Sequence, residues 1–128
     1  MTRDLIIEKL QSGEYSKEKI LGWLRALPSN SAKVKPSEYK VGDVFMHNIF
    51  HHPYVLLERK SDMWVCGLLT SEETCAEILC ETKSRFFVGN YFTRALFTVT
   101  IPSGTFYGVY DNKRHLLSVL KKLKKMML

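Results

Sequence analysis

From Val41 to Tyr110 the apolar residues fall in short runs broken by turn-forming residues, and this punctuation decides what the chain can fold into. The runs are Val41 to Met46, Tyr54 to Glu58, Met63 to Thr70, Ala76 to Glu81, Phe86 to Val88, Ala95 to Ile101 and Phe106 to Tyr110. They are rich in β-branched and aromatic side chains, which suit a pleated surface. Spacing of this kind predicts a small, strongly bent antiparallel sheet or barrel. Pro102, Ser103 and Gly104, between the last two runs, have the composition of a hairpin turn.

Helical spacing appears on either side of this stretch. Leu5, Ile6 and Leu10 recur on one helix face, Gly13 breaks the run, and Ser16 can cap a second helix carrying Ile20, Leu21, Trp23, Leu24 and Leu27 before Pro28. Residues 28 to 40 hold two prolines, three serines and little apolar content, the signature of a linker. The chain therefore divides near residue 40, into a helical hairpin and linker (1–39) and a β-barrel domain with a C-terminal helix (40–128). Two short helices bury too little surface to stand alone. Ile20, Trp23 and Leu24 must dock on something: the chain's own barrel, a second copy, or another protein. At the other end, Asp111 or Asn112 can cap a helix in which Leu116, Leu117, Val119, Leu120, Leu123 and Met127 oppose Arg114, Lys121, Lys122 and Lys125.

Composition excludes several classes. With 45% hydrophobic, 12% aromatic and 25% charged residues, the chain can bury a core and is neither disordered nor of low complexity. No apolar stretch approaches the ~18 residues of a membrane span, and the first residues do not read as a signal peptide, so a cytoplasmic protein is expected. Cys66, Cys75 and Cys80 lack a C-x-x-C spacing and read as small hydrophobes rather than disulfide or zinc ligands; neither metal nor cofactor is predicted. The net charge of +6 resides in the C-terminal segment, where Lys113, Arg114, Lys121, Lys122, Lys124 and Lys125 stand without an acid. Such a face attracts phosphate backbones or an acidic partner through its long-range field.

Four segments, taken in order, resemble one family. Lys40-Val41-Gly42-Asp43-Val44, then His52-Pro53-Tyr54-Val55-Leu56-Leu57, then Val65-Cys66-Gly67-Leu68-Leu69-Thr70-Ser71, followed by the amphipathic C-terminal helix, look like the PemK/MazF family. The resemblance covers residues 40 to 128. It implies an SH3-like barrel, a toxin of a bacterial toxin–antitoxin pair, and metal-independent cleavage of single-stranded RNA by a homodimer whose antitoxin blocks the site. In the family a basic residue, commonly arginine, precedes the proline of the second strand and works with a threonine or serine ending the third. Those places hold His52 and Thr70 with Ser71, so the chain departs from the family at the arginine.

The residues themselves offer a route to the same chemistry. Metal-free RNA cleavage needs a base for the 2′-hydroxyl proton, an acid for the leaving 5′-oxygen and a donor for the charge developing on phosphorus. Histidine serves as base or acid near neutral pH, and His47, His51 and His52 lie in one short stretch. Thr70 or Ser71 can donate to a phosphate oxygen, and Arg85 or Arg94 can supply the missing cation. Read otherwise, Thr70 and Ser71 cap a turn ahead of Glu72 and Glu73. Lys121, Lys122 and Lys125 are the expected nucleic-acid contacts. The competing class is a non-catalytic phage or mobile-element inhibitor, anti-CRISPR-like, that binds a host nucleic-acid-processing protein. No phosphate-binding glycine loop, hydrolase elbow or His-Glu-x-x-His is present.

Overall fold

Local signals set the helix ends. In the computed structural model, which describes residues 2–26, 39–47, 51–82, 87 and 89–126, Thr2 caps α1 (Arg3–Ser12) by accepting the Leu5 N–H at 3.3 Å. Gly13 ends that helix in the left-handed conformation, φ 72°, which costs glycine nothing. The Ser16 hydroxyl accepts the Lys19 N–H at 3.2 Å and opens α2 (Lys17–Ala26). Asn112 does the same for α3 (Lys113–Met126), its Oδ1 accepting the His115 N–H at 3.1 Å.

Between the helices lie β1 (Asp43–Met46), β2 (Pro53–Lys60), β3 (Met63–Thr70), a 3₁₀ turn at Glu73–Cys75, β4 (Ile78–Leu79), β5 (Tyr91–Val99) and β6 (Thr105–Val109). The protein is thus α+β, with three α-helices and one six-stranded antiparallel sheet among the described residues, in the order β4-β5-β3-β2-β1-β6. Pro102, Ser103 and Gly104 lie in the connection between β5 and β6, but they do not form the expected hairpin turn: β5 pairs with β3 and β4 and β6 pairs with β1, so the segment crosses from one side of the sheet to the other. The Ala76 to Glu81 run, expected as a strand, forms only the two residues of β4. Of the Phe86 to Val88 run, Phe87 is buried outside the strands and its neighbours lie outside the described residues.

Among the described residues three bulges curl the sheet: at Leu57 in β2, at Thr93 to Ala95 in β5, which together oppose Leu68 of β3, and at Tyr107 in β6. Gly67 sits where Leu57 and Phe92 press in, and a Cβ there would come within 3.0 and 3.1 Å of their side chains. Among the described residues no backbone ladder joins β4 to β6, so the sheet is open. Its two ends are bridged by side chains instead. The Tyr110 hydroxyl accepts the Glu81 N–H at 2.6 Å, and Thr82 donates to Asp111 beside it.

Both faces of the central strands are covered. Tyr54 to Leu57 in β2 and Trp64 to Gly67 in β3 are buried without alternation, as strands enclosed on two sides are. Leu116, Val119, Leu120 and Leu123 form the buried stripe of α3, which packs on β5 and β2. Each such side chain contributes roughly 1.5–3 kcal/mol on burial. Leu117, expected on that stripe, is 58% exposed instead, because at about 100° per residue it lies roughly a third of a turn away from the centre of the stripe. The hairpin packs through α2 on β6, and Ile6, Ile20 and Leu24 are buried in the same core as the sheet.

Candidate functional site

β1 ends at Met46 paired with Pro53, and one residue further on His47 and His52 continue the pairing, the His47 N–H donating to the His52 carbonyl at 3.2 Å. His51 closes the turn by donating its N–H to the His47 carbonyl at 2.9 Å, with its backbone in the left-handed region at φ 54°. The ladder between β2 and β3 ends at Tyr54 opposite Leu68; the same register, two residues on, sets His52 opposite Thr70. These residues therefore share one end of three neighbouring strands.

A cavity of about 430 Å³ opens there, lined by His47, His52, Tyr54, Leu68, Phe97, Val99 and Ser103. Two imidazoles come from adjacent strand ends, and the apolar wall comes from β3 and β5. Tyr54 holds the far side in place. Its hydroxyl donates to the Ser103 carbonyl at 2.5 Å and accepts the Ser103 N–H at 2.8 Å, tying the β5–β6 connection to β2. Burial pushes the Tyr54 phenol up to about 12, against the opposing pull of these hydrogen bonds, so it stays neutral. The Phe97 ring meets Tyr54 edge to face at 5.4 Å. Two groups able to move protons beside an apolar surface can serve acid–base chemistry on a ligand with a flat apolar part.

Of the expected site residues, His52 lines this cavity; Thr70, Ser71 and Arg94 are not among its lining residues. Thr70 is buried, and its hydroxyl accepts the Glu72 N–H at 3.1 Å, the turn-capping role, while Ser71 is exposed. Arg94 stands on the exposed part of β5 and donates from Nε to a Glu77 carboxylate oxygen at 3.0 Å, so its charge is already partnered. Arg85 lies outside the described residues. Lys121, Lys122 and Lys125 are exposed on α3, while Lys124 reaches the Glu58 carboxylate at 3.2 Å.

Ile20 and Leu24, expected as partner contacts, are buried in this chain's own core. Trp23 is half-buried, meeting Tyr15 edge-on at 5.1 Å with the Lys9 and Lys19 ammonium groups near both rings. The sequence offers His47, His51 and His52 as candidate bases, with His52 preferred, but it does not place Tyr54, Leu68, Phe97, Val99 or Ser103 in the site. The usable signal was the two-residue alternation that puts His52 and Tyr54 on one face of β2.

A second depression, of about 730 Å³, lies at the start of α3 and is lined by Glu81, Thr82, Asp111, Asn112, Lys113 and Arg114. Acids and bases face each other there, and the Lys113 ammonium donates to the Val41 carbonyl. It lacks the single sign of charge that would select an ionic ligand. Among the described residues no group of three or more His, Cys, Asp or Glu side chains could hold a metal ion, and no helix is long and apolar enough to cross a membrane. Comparison with protein-family models, curated proteins and solved structures finds no match for this chain.

Proposed function

We propose that this protein is a metal-independent endoribonuclease of the PemK/MazF type, acting on single-stranded RNA at the cleft between His47 and His52. The observation that carries the reading is the pair of imidazoles on one apolar cavity. The strongly curled sheet, the side-chain bridge between its edges and the amphipathic C-terminal helix support an SH3-like toxin fold.

In this reading one imidazole takes the proton of the 2′-hydroxyl as its oxygen bonds to phosphorus. The other gives a proton to the 5′-oxygen as the P–O5′ bond breaks, leaving a 2′,3′-cyclic phosphate and a 5′-hydroxyl. The apolar wall of Leu68, Phe97 and Val99 takes the face of an unpaired base. With the Thr70 hydroxyl buried against its own turn, the exposed Ser71 beside it is the hydroxyl that donates to a phosphate oxygen. Arg94 assists only by leaving Glu77. The lysines of α3 draw in the phosphate backbone. A cytoplasmic homodimer neutralised by an antitoxin completes the proposal.

A second reading follows from the apolar character of the same wall, which would equally take an apolar side chain of a host protein and make this an inhibitor without chemistry. The two are separated by incubating the purified protein with single-stranded RNA in the presence of a chelator. Cleavage lost in His47→Ala and His52→Ala supports the nuclease, and no cleavage by the parent protein refutes it.

A further inference from the structure

The two ends of the sheet meet at a cluster remote in sequence from the histidine cleft. Tyr110, fully buried, accepts the Glu81 N–H at its hydroxyl, which lies 2.8 Å from Nδ1 of His115. A phenol has one proton to donate, and both Nδ1 of His115 and the Cys80 sulfur lie within its reach. Given to Nδ1, that proton requires a neutral imidazole with its own proton on Nε2, the nitrogen that faces a Glu81 carboxylate oxygen at 4.0 Å. The His115 ring stacks on Tyr110, 6.0 Å between centroids at 18°, and Phe92 of β5 lies 6.4 Å away. The titratable groups facing His115 are Glu81 after β4, Tyr110 after β6 and Lys122 of α3 itself, and Cys80 after β4 faces Tyr110. His115 is 9% exposed and the Glu81 carboxylate 66%, so a charge on the ring is poorly hydrated where it stands but well hydrated near Glu81.

We propose that the Tyr110–His115 hydrogen bond is a latch released by acid, holding the first turn of α3 on the seam between β4 and β6. Protonation puts a hydrogen on Nδ1, so that donor faces donor. Tyr110 must then turn its proton away towards Cys80, and the imidazolium moves towards Glu81. Burial already holds the His115 ring below the ordinary imidazole range, with Glu81 opposing and Lys122 reinforcing that effect, in keeping with a neutral latched state.

The test is nuclear magnetic resonance on the full chain between about pH 8 and about pH 5. The ring nitrogen shifts of His115 should show the Nε2-protonated tautomer at the upper end. As the ring titrates, protection of the Glu81 N–H, corrected for intrinsic exchange, should fall by about tenfold or more, corresponding to at least one pKa unit of coupling. In His115→Phe, which keeps a flat ring between Tyr110 and Phe92, protection should not change with pH. An Nδ1-protonated tautomer in the parent protein, constant protection through the titration, or the same fall in His115→Phe would each overturn the latch. The tautomer measurement needs no variant.

Discussion

The Tyr54 hydroxyl and the Ser103 backbone exchange two hydrogen bonds, one at 2.5 Å to the carbonyl and one at 2.8 Å from the N–H. They tie the β5–β6 connection to β2, the strand that His52 leads into. Tyr54→Phe leaves both Ser103 groups without that partner and should cost about 1–3 kcal/mol. The urea midpoint should fall with the slope of the transition unchanged. In the nuclease reading KM for RNA should rise more than kcat falls, because the cleft wall loosens while the imidazoles stay.

Gly104 adopts φ 96° and a Cβ there would collide with the Met46 carbonyl oxygen. Gly104→Ala meets both a backbone penalty and a clash with a main-chain atom that cannot swing aside. It should destabilise by more than about 1 kcal/mol. Gly89→Ala is the control: φ there is 77°, but among the described residues nothing lies within 4 Å of an added Cβ, so the backbone penalty dominates. Thermal unfolding of the two variants should show the larger loss at Gly104.

Stability should form a dome against pH. The folded state holds the His115 ring below its ordinary value by burial, so the unfolded chain binds that proton more readily. Stability is then complete above about pH 6.5 and falls as pH drops through that value towards the folded one. The thiols of Cys66 and Cys80 are pushed from 9.0 up to about 12 by burial, so the unfolded chain loses those protons first. Their contribution is complete below pH 9.0 and is lost as pH rises towards about 12. Urea midpoints across pH should show both limbs, and His115→Phe should flatten the acid one.

Each of Lys121, Lys122 and Lys125, exposed on α3, should act as a phosphate contact. Substituting one by alanine should weaken RNA binding alike for all sequences and reduce the slope of log affinity against log salt by about 1. The Lys124–Glu58 pair is half-exposed, and Glu58→Gln should change stability by less than about 1 kcal/mol. Titrations at several salt concentrations measure the first effect, and urea unfolding the second.

What was legible in the sequence was what is decided locally. Gly13, Ser16 and Asn112 end or cap the helices they were expected to, because capping depends on residues three or four apart. Most strands were legible for the same reason. The run at Ala76 to Glu81 was not, because β4 is set by pairing with Phe92 and Tyr91, well along the chain. His52 stood out as one of two adjacent histidines before a proline. That His47 rather than His51 is its companion in the cavity follows only from the β1–β2 register, and the Phe97 and Ser103 wall from the curl of the sheet. At Thr70 two local roles competed in the sequence, and the hydroxyl is found capping its own turn.

The measurement that bears most directly on the account is the fate of a 5′-labelled single-stranded RNA mixed with the full-length protein and excess chelator. Fragments ending in 2′,3′-cyclic phosphate should accumulate, and His47→Ala and His52→Ala should each slow them by about 10²–10⁴-fold, the size expected when one proton-transfer group is removed. Both variants should keep the parent's thermal transition. Intact RNA with the parent protein, or cleavage by both variants at the parent's rate, contradicts a catalytic role for the histidine cleft.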